Sequence, residues 1–260
     1  MIDIGVNLIN KSFRSDLEEV IARATEAGVT KMVATGTCLN VSKESYELAK
    51  KYPGKIYSTA GIHPHDASSF DENTVDALRE LLDHPEVVAV GECGLDFNRD
   101  FSPRDKQEDA FRQQIALALE TGKPLFLHQR DAHEKFMSIL SEFDLSRTPV
   151  AVHCFTGTEE ECIDSLNAGF HIGITGWICD ERRGFHLKDF VSKIPLNKLM
   201  IETDCPYLLP RNLRPKPKKG RNEPAFLGHI ANEIAEVYEM PVEEFIHSVT
   251  ETSEKFFGLA

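Results

Sequence analysis

The sequence lacks long apolar runs, paired cysteines and an excess of basic residues. None of its apolar stretches approaches the roughly 18 residues that a membrane-spanning helix needs, and the opening "MIDIGVNLIN" has neither the basic segment nor the apolar stretch of a secretory signal. The six cysteines are scattered with no C-x-x-C pair, which is not the spacing of a disulfide framework or a thiolate zinc site. These absences predict a cytoplasmic protein with reduced thiols.

Acidic residues outnumber basic ones by 42 to 29, which gives a formal net charge of −13. Proteins that bind duplex nucleic acid through their whole surface tend to be basic. The charge therefore argues against a general affinity for nucleic acid, and a polyanionic substrate would have to be bound locally.

Short β-rich runs alternate with amphipathic helical stretches along all 260 residues. Several runs are continuously apolar, which is typical of a parallel sheet covered on both faces. Eight such units favour an α/β fold, a single (β/α)8 TIM-type barrel, and no repeat or composition break marks a second domain within residues 1–260. The predicted strands are 2–8, 31–36, 56–62, 87–92, 124–128, 149–153, 171–176 and 199–204, and the clearest helices, each closed by glycine, are 15–28, 102–122 and 159–169.

Four of the predicted strands end in a potential metal ligand: Glu92, His128, His153 and Asp204. The carboxyl ends of barrel strands meet around one mouth, so these side chains should converge. Two carboxylates there would repel each other, and none of these strand ends supplies a Lys or Arg to neutralise them. A divalent cation would do so, since imidazole and carboxylate are ordinary ligands for one. The sequence therefore predicts a metal site of these four residues, with Glu92 and Asp204 as catalytic groups and Asp204 also accepting a proton from water.

Further candidates flank the predicted ligands. His63 and His65 lie in "GIHPHD" after the third predicted strand, and Arg130 follows His128, where each could contact an anionic substrate. Glu202 shares a strand face with Asp204 and would lie one layer deeper, where it could order a ligand or a water molecule.

A proline-rich segment, residues 205–224, follows the eighth predicted strand and contains five prolines, which predicts a long, stiff loop. Because salt screens exposed charges beyond about 8 Å, a phosphate near this strand end would interact with the loop far more than with distant acids. Arg211 and Arg221 are therefore predicted to bind phosphate, and Tyr207 to stack on a base. The loop has six basic residues in eleven positions: Arg211, Arg214, Lys216, Lys218, Lys219 and Arg221.

Ordered motifs along essentially the entire chain resemble those of the TatD family of metal-dependent deoxyribonucleases. The resemblance implies a barrel related to the amidohydrolases and a divalent-metal 3′-to-5′ exonuclease that prefers single-stranded DNA, with RNA as a further substrate and DNA repair or degradation as its role. It also places Glu92, His128, His153 and Asp204 at the family's ligand positions and His63 near metal and substrate. The motifs are "GIHPHD", "VVAVGECGLDFNRDFSP", "PLFLHQRDAHEKF", "VHCFTGT", "HIGITGW", "LMIETDCPYLLP", "DIGVNL", "CDERRG" and "GRNEP".

The first motif departs from a common pattern of that family. Many members begin D-x-H-x-H-L, whereas Gly5 and Asn7 stand here in place of the two histidines that would follow Asp3. Loss of two nitrogen ligands shifts coordination toward oxygen, which suits Mg²⁺ or Mn²⁺ better than tightly held Zn²⁺. Asn7 is expected to support a ligand and not to bind the metal itself.

Two other functional classes fit the same residues. Related barrels hydrolyse amides and esters, so an amidohydrolase or an aminoacyl-tRNA deacylase remains open, although the basic loop favours a substrate that carries phosphate. The other class is a nucleic-acid-binding scaffold that has lost catalysis, against which the presence of all four predicted ligands argues. With no obvious oligomerisation element, the chain is expected to be a monomer.

Overall fold

The structure, a computed structural model, describes residues 1–217 and 220–259 and places an eight-stranded parallel sheet with eight α-helices in that part of the chain. All eight predicted strands and the three predicted helices are confirmed, with bounds that differ by a few residues. The strands are β1 (Ile2–Val6), β2 (Lys31–Ala34), β3 (Ile56–Ala60), β4 (Val87–Asp96), β5 (Leu125–Arg130), β6 (Val150–Val152), β7 (His171–Ile174) and β8 (Leu199–Ile201). The helices are α1 (Leu17–Glu26), α2 (Leu39–Lys51), α3 (Glu72–Leu82), α4 (Arg104–Thr121), α5 (His133–Leu140), α6 (Glu159–Asn167), α7 (Leu227–Val237) and α8 (Val242–Phe257).

The strands follow one another in the sheet in chain order, from β1 to β8. Beyond β8, Val6 of β1 forms a parallel bridge with Cys205, so the first strand pairs with the segment that continues the last one. Parallel strands in this order, connected mainly by helices, define the (β/α)8 barrel, and the fold class expected from the sequence is confirmed. The chain divides into two compact units, and the expectation of a single domain over residues 1–260 stays a prediction.

The first unit comprises Met1–Ala34, Cys154–Leu166 and Ile172–Ala260. In it β1 pairs with β2, and β7 pairs with β8. Backbone hydrogen bonds from Asp204 N to Gly5 O (2.9 Å) and from Asn7 N to Cys205 O (2.8 Å) attach the end of β1 to the segment after β8. These bonds fix the backbone on both sides of the Asp204 side chain.

The second unit comprises Thr35–His153 and Asn167–His171, and in it β3, β4, β5 and β6 pair in parallel. Every residue of β4 is buried, as expected for a strand covered on both faces. The buried rings of Phe111 on α4 and Phe136 on α5 stack with their centroids 5.3 Å apart. The two stacked rings pack α4 against α5.

Two glycines let β4 approach β5 more closely than other residues could. Gly91 and Gly94 have φ values of 141° and 139°, and a Cβ atom at either position would collide with a carbonyl oxygen of β5, that of Phe126 or that of His128. The register between β4 and β5 shifts in this stretch. The strand consequently continues past Glu92 to Asp96, whereas the sequence predicts an end at residue 92.

The helix ends and the cysteines match the sequence-based expectations. Gly28, Gly122 and Gly169 follow helices with positive φ, which is the role of a closing glycine. None of the six cysteines takes part in a disulfide bond in this structure. Among the described residues, no helix has the length and apolar character that crossing a bilayer requires.

Candidate metal centre

Three imidazole rings of the second unit converge on one carboxylate oxygen. Glu92 Oε1 lies 2.7 Å from His153 Nε2, 3.1 Å from His128 Nδ1 and 3.3 Å from His63 Nε2. Three of these side chains are buried, and His128 is partly exposed. One ligand atom from each of His63, Glu92 and His128 lies within 4.8 Å of the others. The structure thus brings together three of the four predicted ligands, Glu92, His128 and His153, with His63.

The backbone of four strands positions these side chains. Glu92 N donates to Gly36 O (2.7 Å) just beyond β2, and His128 lies opposite Gly94 in the register of β4 and β5. His153, directly after β6, donates its backbone N–H to Leu127 O at 2.9 Å. Carboxyl ends of parallel strands meet at one edge of a sheet, and this edge is where the cluster forms.

Asp96 belongs to the same cluster, and the sequence-based reasoning missed it. Its Oδ2 lies 2.8 Å from His65 Nε2 and 3.4 Å from His128 Nε2, while Oδ1 accepts the backbone N–H groups of Asn98 and Arg99. Asp96 is only 1% exposed. It stands four residues after Glu92, and residues i and i+4 of a strand share a face. The spacing of Glu92 and Asp96 in "ECGLD" was therefore informative. It would place both side chains on one face only if β4 extended beyond Glu92.

The donor set fits a divalent cation. His128 Nε2 is buried and has no well-aligned hydrogen-bond partner, because Asp96 Oδ2 at 3.4 Å contacts it without hydrogen-bond geometry. Glu92 Oε1 has two lone pairs, so it cannot accept well-aligned hydrogen bonds from three imidazoles together. Carboxylate oxygen and imidazole nitrogen at such spacing are suited to a divalent cation, which would satisfy both groups. The assignment of Glu92, His128 and His153 as ligands stays a prediction.

His63 differs from the other two imidazoles in the nitrogen it presents. Its Nδ1 accepts the backbone N–H of His65 at 3.1 Å, and a neutral imidazole has one accepting and one donating nitrogen. Nε2 therefore carries the proton and donates toward Glu92 Oε1. A protonated nitrogen does not ligate a metal, so His63 is better suited to donate a hydrogen bond to a substrate oxygen, the role expected from the sequence.

Burial and mutual charge shift the pKa values of the cluster in opposite directions. Burial alone would raise the pKa of Glu92, but the charges of His153 and His63 and hydrogen bonds from His128 and His153 hold it well below its usual range. Burial lowers the pKa of His63. For Asp96, burial is again outweighed, by the nearby His128 imidazole and by hydrogen bonds from the Arg99 backbone and His65, so its pKa lies below the usual range. Both carboxylates are therefore ionised and available to a cation.

Asp204, the fourth predicted ligand, lies in the first unit with positive φ, at 51°. Its Oδ1 accepts a hydrogen bond from Asn7 Nδ2 at 2.9 Å, so Asn7 orients the carboxylate as a supporting residue would. Glu202 is fully buried, and its Oε1 accepts the backbone N–H of Cys154 at 2.5 Å. A strained non-glycine backbone is found where surrounding contacts hold it in place, often at functional sites. The ligand role of Asp204 stays a prediction.

The loop after β8 places its candidate residues in different surroundings. Tyr207 is 54% exposed and its hydroxyl accepts from Asn10 Nδ2 at 3.0 Å. Arg211 pairs with Glu181 at 3.2 Å and lies 3.6 Å from Asp180. Lys218 and Lys219 lie outside the described residues. The substrate-binding roles predicted for Tyr207 and Arg211 stay predictions.

Arg221 is held by carboxylates of its own unit. Its Nη2 lies 2.6 Å from both Asp16 Oδ2 and Glu223 Oε1, and Nη1 donates to Ser12 O. Arg23 pairs with the same two acids, so two guanidinium groups and two carboxylates form one network. This network attaches the end of the proline-rich loop to the start of α1. Arg221 thus has a structural role, and its predicted role in binding phosphate stays a prediction.

This network predicts a loss of stability in acid. Hydrogen bonds from Arg221, followed by its charge and by Arg23, lower the pKa of Asp16 from 3.8 to about 2. A carboxyl group whose pKa is lower in the folded state stabilises the protein above its unfolded pKa, and this contribution is lost as the pH falls through the folded one. Asp16→Asn should therefore flatten the fall in free energy of unfolding between about pH 4 and pH 2, by no more than about 1 kcal/mol because the pair is partly exposed.

Urea unfolding at several pH values measures this effect. Asp76→Asn is the matched control, because Asp76 pairs with Arg79 on an exposed helix surface and is 77% exposed. An equal change of slope in the two variants would contradict a specific role of the Arg221 network.

Comparisons with known proteins agree with this fold and show the family of the chain. The family described as TatD related DNase matches residues 2–258. A protein of Dickeya dadantii (strain 3937) named 3′-5′ ssDNA/RNA exonuclease TatD is 50% identical over 258 residues, covering 99% of this chain and 97% of the relative. A protein of the same name from Pantoea ananatis (strain LMG 20103) is 49% identical over 260 residues and covers both chains fully. The crystal structure of a TatD family hydrolase from Entamoeba histolytica has a TM-score of 0.91 at 29% identity, covering 100% of this chain and 98% of that one.

A (β/α)8 barrel with imidazoles and carboxylates gathered at its strand ends defines the class of barrel hydrolases. Within that class, the match over residues 2–258 shows that this chain belongs to the family of TatD related DNases. The resemblance read from the sequence motifs is thereby confirmed.

Proposed function

We propose that this protein is a divalent-metal-dependent exonuclease that removes nucleotides from the 3′ end of single-stranded DNA and RNA. The observation that carries the proposal is the convergence of His63, His128 and His153 on Glu92, which suits metal-assisted hydrolysis. The relatives named 3′-5′ ssDNA/RNA exonuclease TatD, 50% and 49% identical over nearly the whole chain, support the choice of substrate and direction.

The residues of the cluster divide the work by their chemistry. Glu92, His128 and His153 would hold the cation, with Asp204 as a further ligand and as the group that accepts a proton from the attacking water. A divalent cation bound there lowers the pKa of water and offsets negative charge on the phosphate. Asn7 keeps the Asp204 carboxylate oriented through the 2.9 Å hydrogen bond between them.

Magnesium or manganese fits the ligand set better than zinc. Gly5 and Asn7 supply no imidazole from β1 and the residue after it, and Asp96 adds a carboxylate near His128. Oxygen-rich sites favour Mg²⁺ and Mn²⁺, whereas tightly held zinc prefers nitrogen and sulfur ligands. We therefore propose a weakly held, exchangeable Mg²⁺ or Mn²⁺.

Two donors near the cluster are suited to the substrate phosphate. His63 offers its Nε2–H, as its Nδ1 is occupied by the His65 backbone. Arg130 ends β5 opposite Asp96 in the register, is partly buried, and has no carboxylate at ion-pair distance among residues 1–217 and 220–259. A guanidinium without an acidic partner can bind a phosphate by two parallel hydrogen bonds.

End-labelled oligonucleotides test the proposed function. With Mg²⁺ present, a 3′ label on a single strand should be released at once as a mononucleotide, whereas a 5′ label should remain on progressively shorter products. A chelator should stop the reaction, and added Mg²⁺ or Mn²⁺ should restore it. Protein carrying Glu92→Gln, purified in parallel, controls for contaminating nucleases. Release of the 5′ label first, or internal cleavage, would contradict the proposal.

The alternative classes predict different results in the same experiment. An aminoacyl-tRNA deacylase or an amidohydrolase would turn over an ester or amide and leave the oligonucleotide intact, and a scaffold would bind it without turnover. The relatives do not favour either class, since those at about half identity are named as exonucleases. The expected cytoplasmic location, monomeric state and role in DNA repair or degradation stay predictions.

A further inference from the structure

Phe101 presents an apolar ring to solvent next to the cluster of histidines around Glu92. It lies between β4 and α4 and is 67% exposed, the largest exposed fraction among the exposed large hydrophobic residues of the described chain. Burying a phenylalanine side chain typically contributes about 1.5–3 kcal/mol, so an exposed ring forgoes stability. An exposed aromatic ring beside a reaction centre is suited to bind a ligand that has an apolar face.

A continuous series of ring contacts connects Phe101 with the cluster. The ring centroids of Phe101 and His65 are 4.7 Å apart, those of His65 and His63 4.2 Å, and those of His63 and His128 4.5 Å. His63 and His128 both contact Glu92 Oε1. A single ring, that of His65, therefore lies between Phe101 and His63, which contacts Glu92.

The backbone next to Phe101 is fixed by hydrogen bonds of Ser102. Ser102 is 1% exposed, and its hydroxyl donates to His65 O (2.9 Å) and accepts from Ser68 N (3.0 Å). Gln107 Nε2 donates to Ser102 O at 2.9 Å. On the other side of the contact, His65 Nε2 is 2.8 Å from Asp96. Because Ser102 fixes the backbone next to Phe101 and Asp96 fixes the His65 ring, the segment that carries Phe101 and the ring it contacts are ordered before a ligand binds.

We propose that Phe101 and His65 form a stacking subsite for a nucleobase at the 3′ end of a single strand, whose phosphodiester lies at the metal cluster. This inference rests on the proposed function and deepens it. Stacking on an aromatic face accepts every base, as an exonuclease without sequence preference requires. A base within a duplex is already stacked and paired, so this subsite also gives a physical reason for a preference for single strands.

Paired variants and substrates test the subsite. Affinity for a single-stranded oligonucleotide, measured by fluorescence anisotropy without activating metal, should fall about 10-fold in Phe101→Ala, as stacking on aromatic rings contributes to ssDNA binding. Phe101→Trp should retain the wild-type affinity. An oligonucleotide with an abasic 3′ end should bind wild type and Phe101→Ala equally, because there is no terminal base to stack. Steady-state kinetics should show the same pattern in KM, with kcat little changed.

The matched control is Phe185→Ala. Phe185 is 62% exposed and makes no ring contact with the cluster histidines in the described structure, so its loss should leave the affinity for both oligonucleotides unchanged. If Phe101→Ala weakens the abasic and the complete oligonucleotide alike, or if Phe185→Ala has the same effect, the subsite is refuted. Wild-type protein that binds with this pattern but cleaves nothing would refute the nuclease function and leave the subsite standing.

Discussion

Replacing Glu92 by Gln should reduce nuclease activity by more than about 100-fold while the protein stays folded, because losing a group that merely supports a metal ligand already costs about 10–100-fold. Glu92 Oε1 lies within 3.3 Å of nitrogen atoms of three histidines, and a neutral amide cannot balance a cation there. Gln keeps the volume of the side chain, so packing is preserved. The kcat/KM on a 3′-labelled single strand measures the loss of activity, and calorimetric titration with Mn²⁺ measures the loss of metal affinity.

Asp204→Asn, measured in the same way, determines the role of Asp204. The amide oxygen of Asn can still accept the hydrogen bond from Asn7, so folding should be retained, whereas a side chain that accepts no proton should lower kcat by about 100-fold or more. Loss of Mn²⁺ affinity in both variants would support a shared ligand set. Asp76→Asn, which changes an exposed surface acid, is the control.

Near-normal activity and metal affinity in Glu92→Gln would refute the metal centre altogether.

Gly94→Ala should destabilise the whole protein severely. A Cβ atom at this position would collide with the carbonyl of His128, and the backbone has φ of 139°, which other residues rarely adopt. Neither backbone can yield without breaking the pairing of β4 with β5. We expect the free energy of unfolding to fall by about 3 kcal/mol or more. The melting temperature should then fall by roughly 6–12 °C, or the variant should fail to accumulate as soluble protein.

Gly228→Ala is the matched control for this experiment. Gly228 lies in α7 without positive φ, and an added Cβ would lie 3.6 Å from Met1 Cε, which is an ordinary van der Waals contact. Alanine in a helix is favoured over glycine by about 0.5–1 kcal/mol, so this variant should be as stable as the wild type or slightly more stable. A normal melting temperature for Gly94→Ala would show that β4 and β5 can separate at this point.

The strands could be predicted from sequence because their composition is local information. A continuous apolar run, such as 87–90, indicates a strand in a sheet that is buried on both faces. This inference requires no knowledge of the strand's partners. The end of β4 could not be predicted in this way. Gly91 and Gly94 look like signals to stop a strand, and only their contact with the backbone of β5 shows that they allow it to continue.

The residues of the candidate site that follow apolar runs could be predicted from sequence. Contacts between residues that are distant in the sequence could not. Glu92, His128 and His153 follow apolar runs, and the structure brings them together. Asp96 was missed because the predicted strand ended at residue 92. The network of Arg221 with Asp16 joins residues 205 positions apart, and no spacing in a sequence reveals such a partner.

The glycines of β4 also constrain how the enzyme can diversify. Glu92 stands between two positions, 91 and 94, that admit almost no other residue, so the segment that carries the Glu92 carboxylate has little freedom to vary without loss of folding. New preferences for particular nucleotides would then have to arise by substitutions in surface segments such as 97–103. We expect natural descendants of this gene to differ mainly there, with an almost invariant strand beneath them.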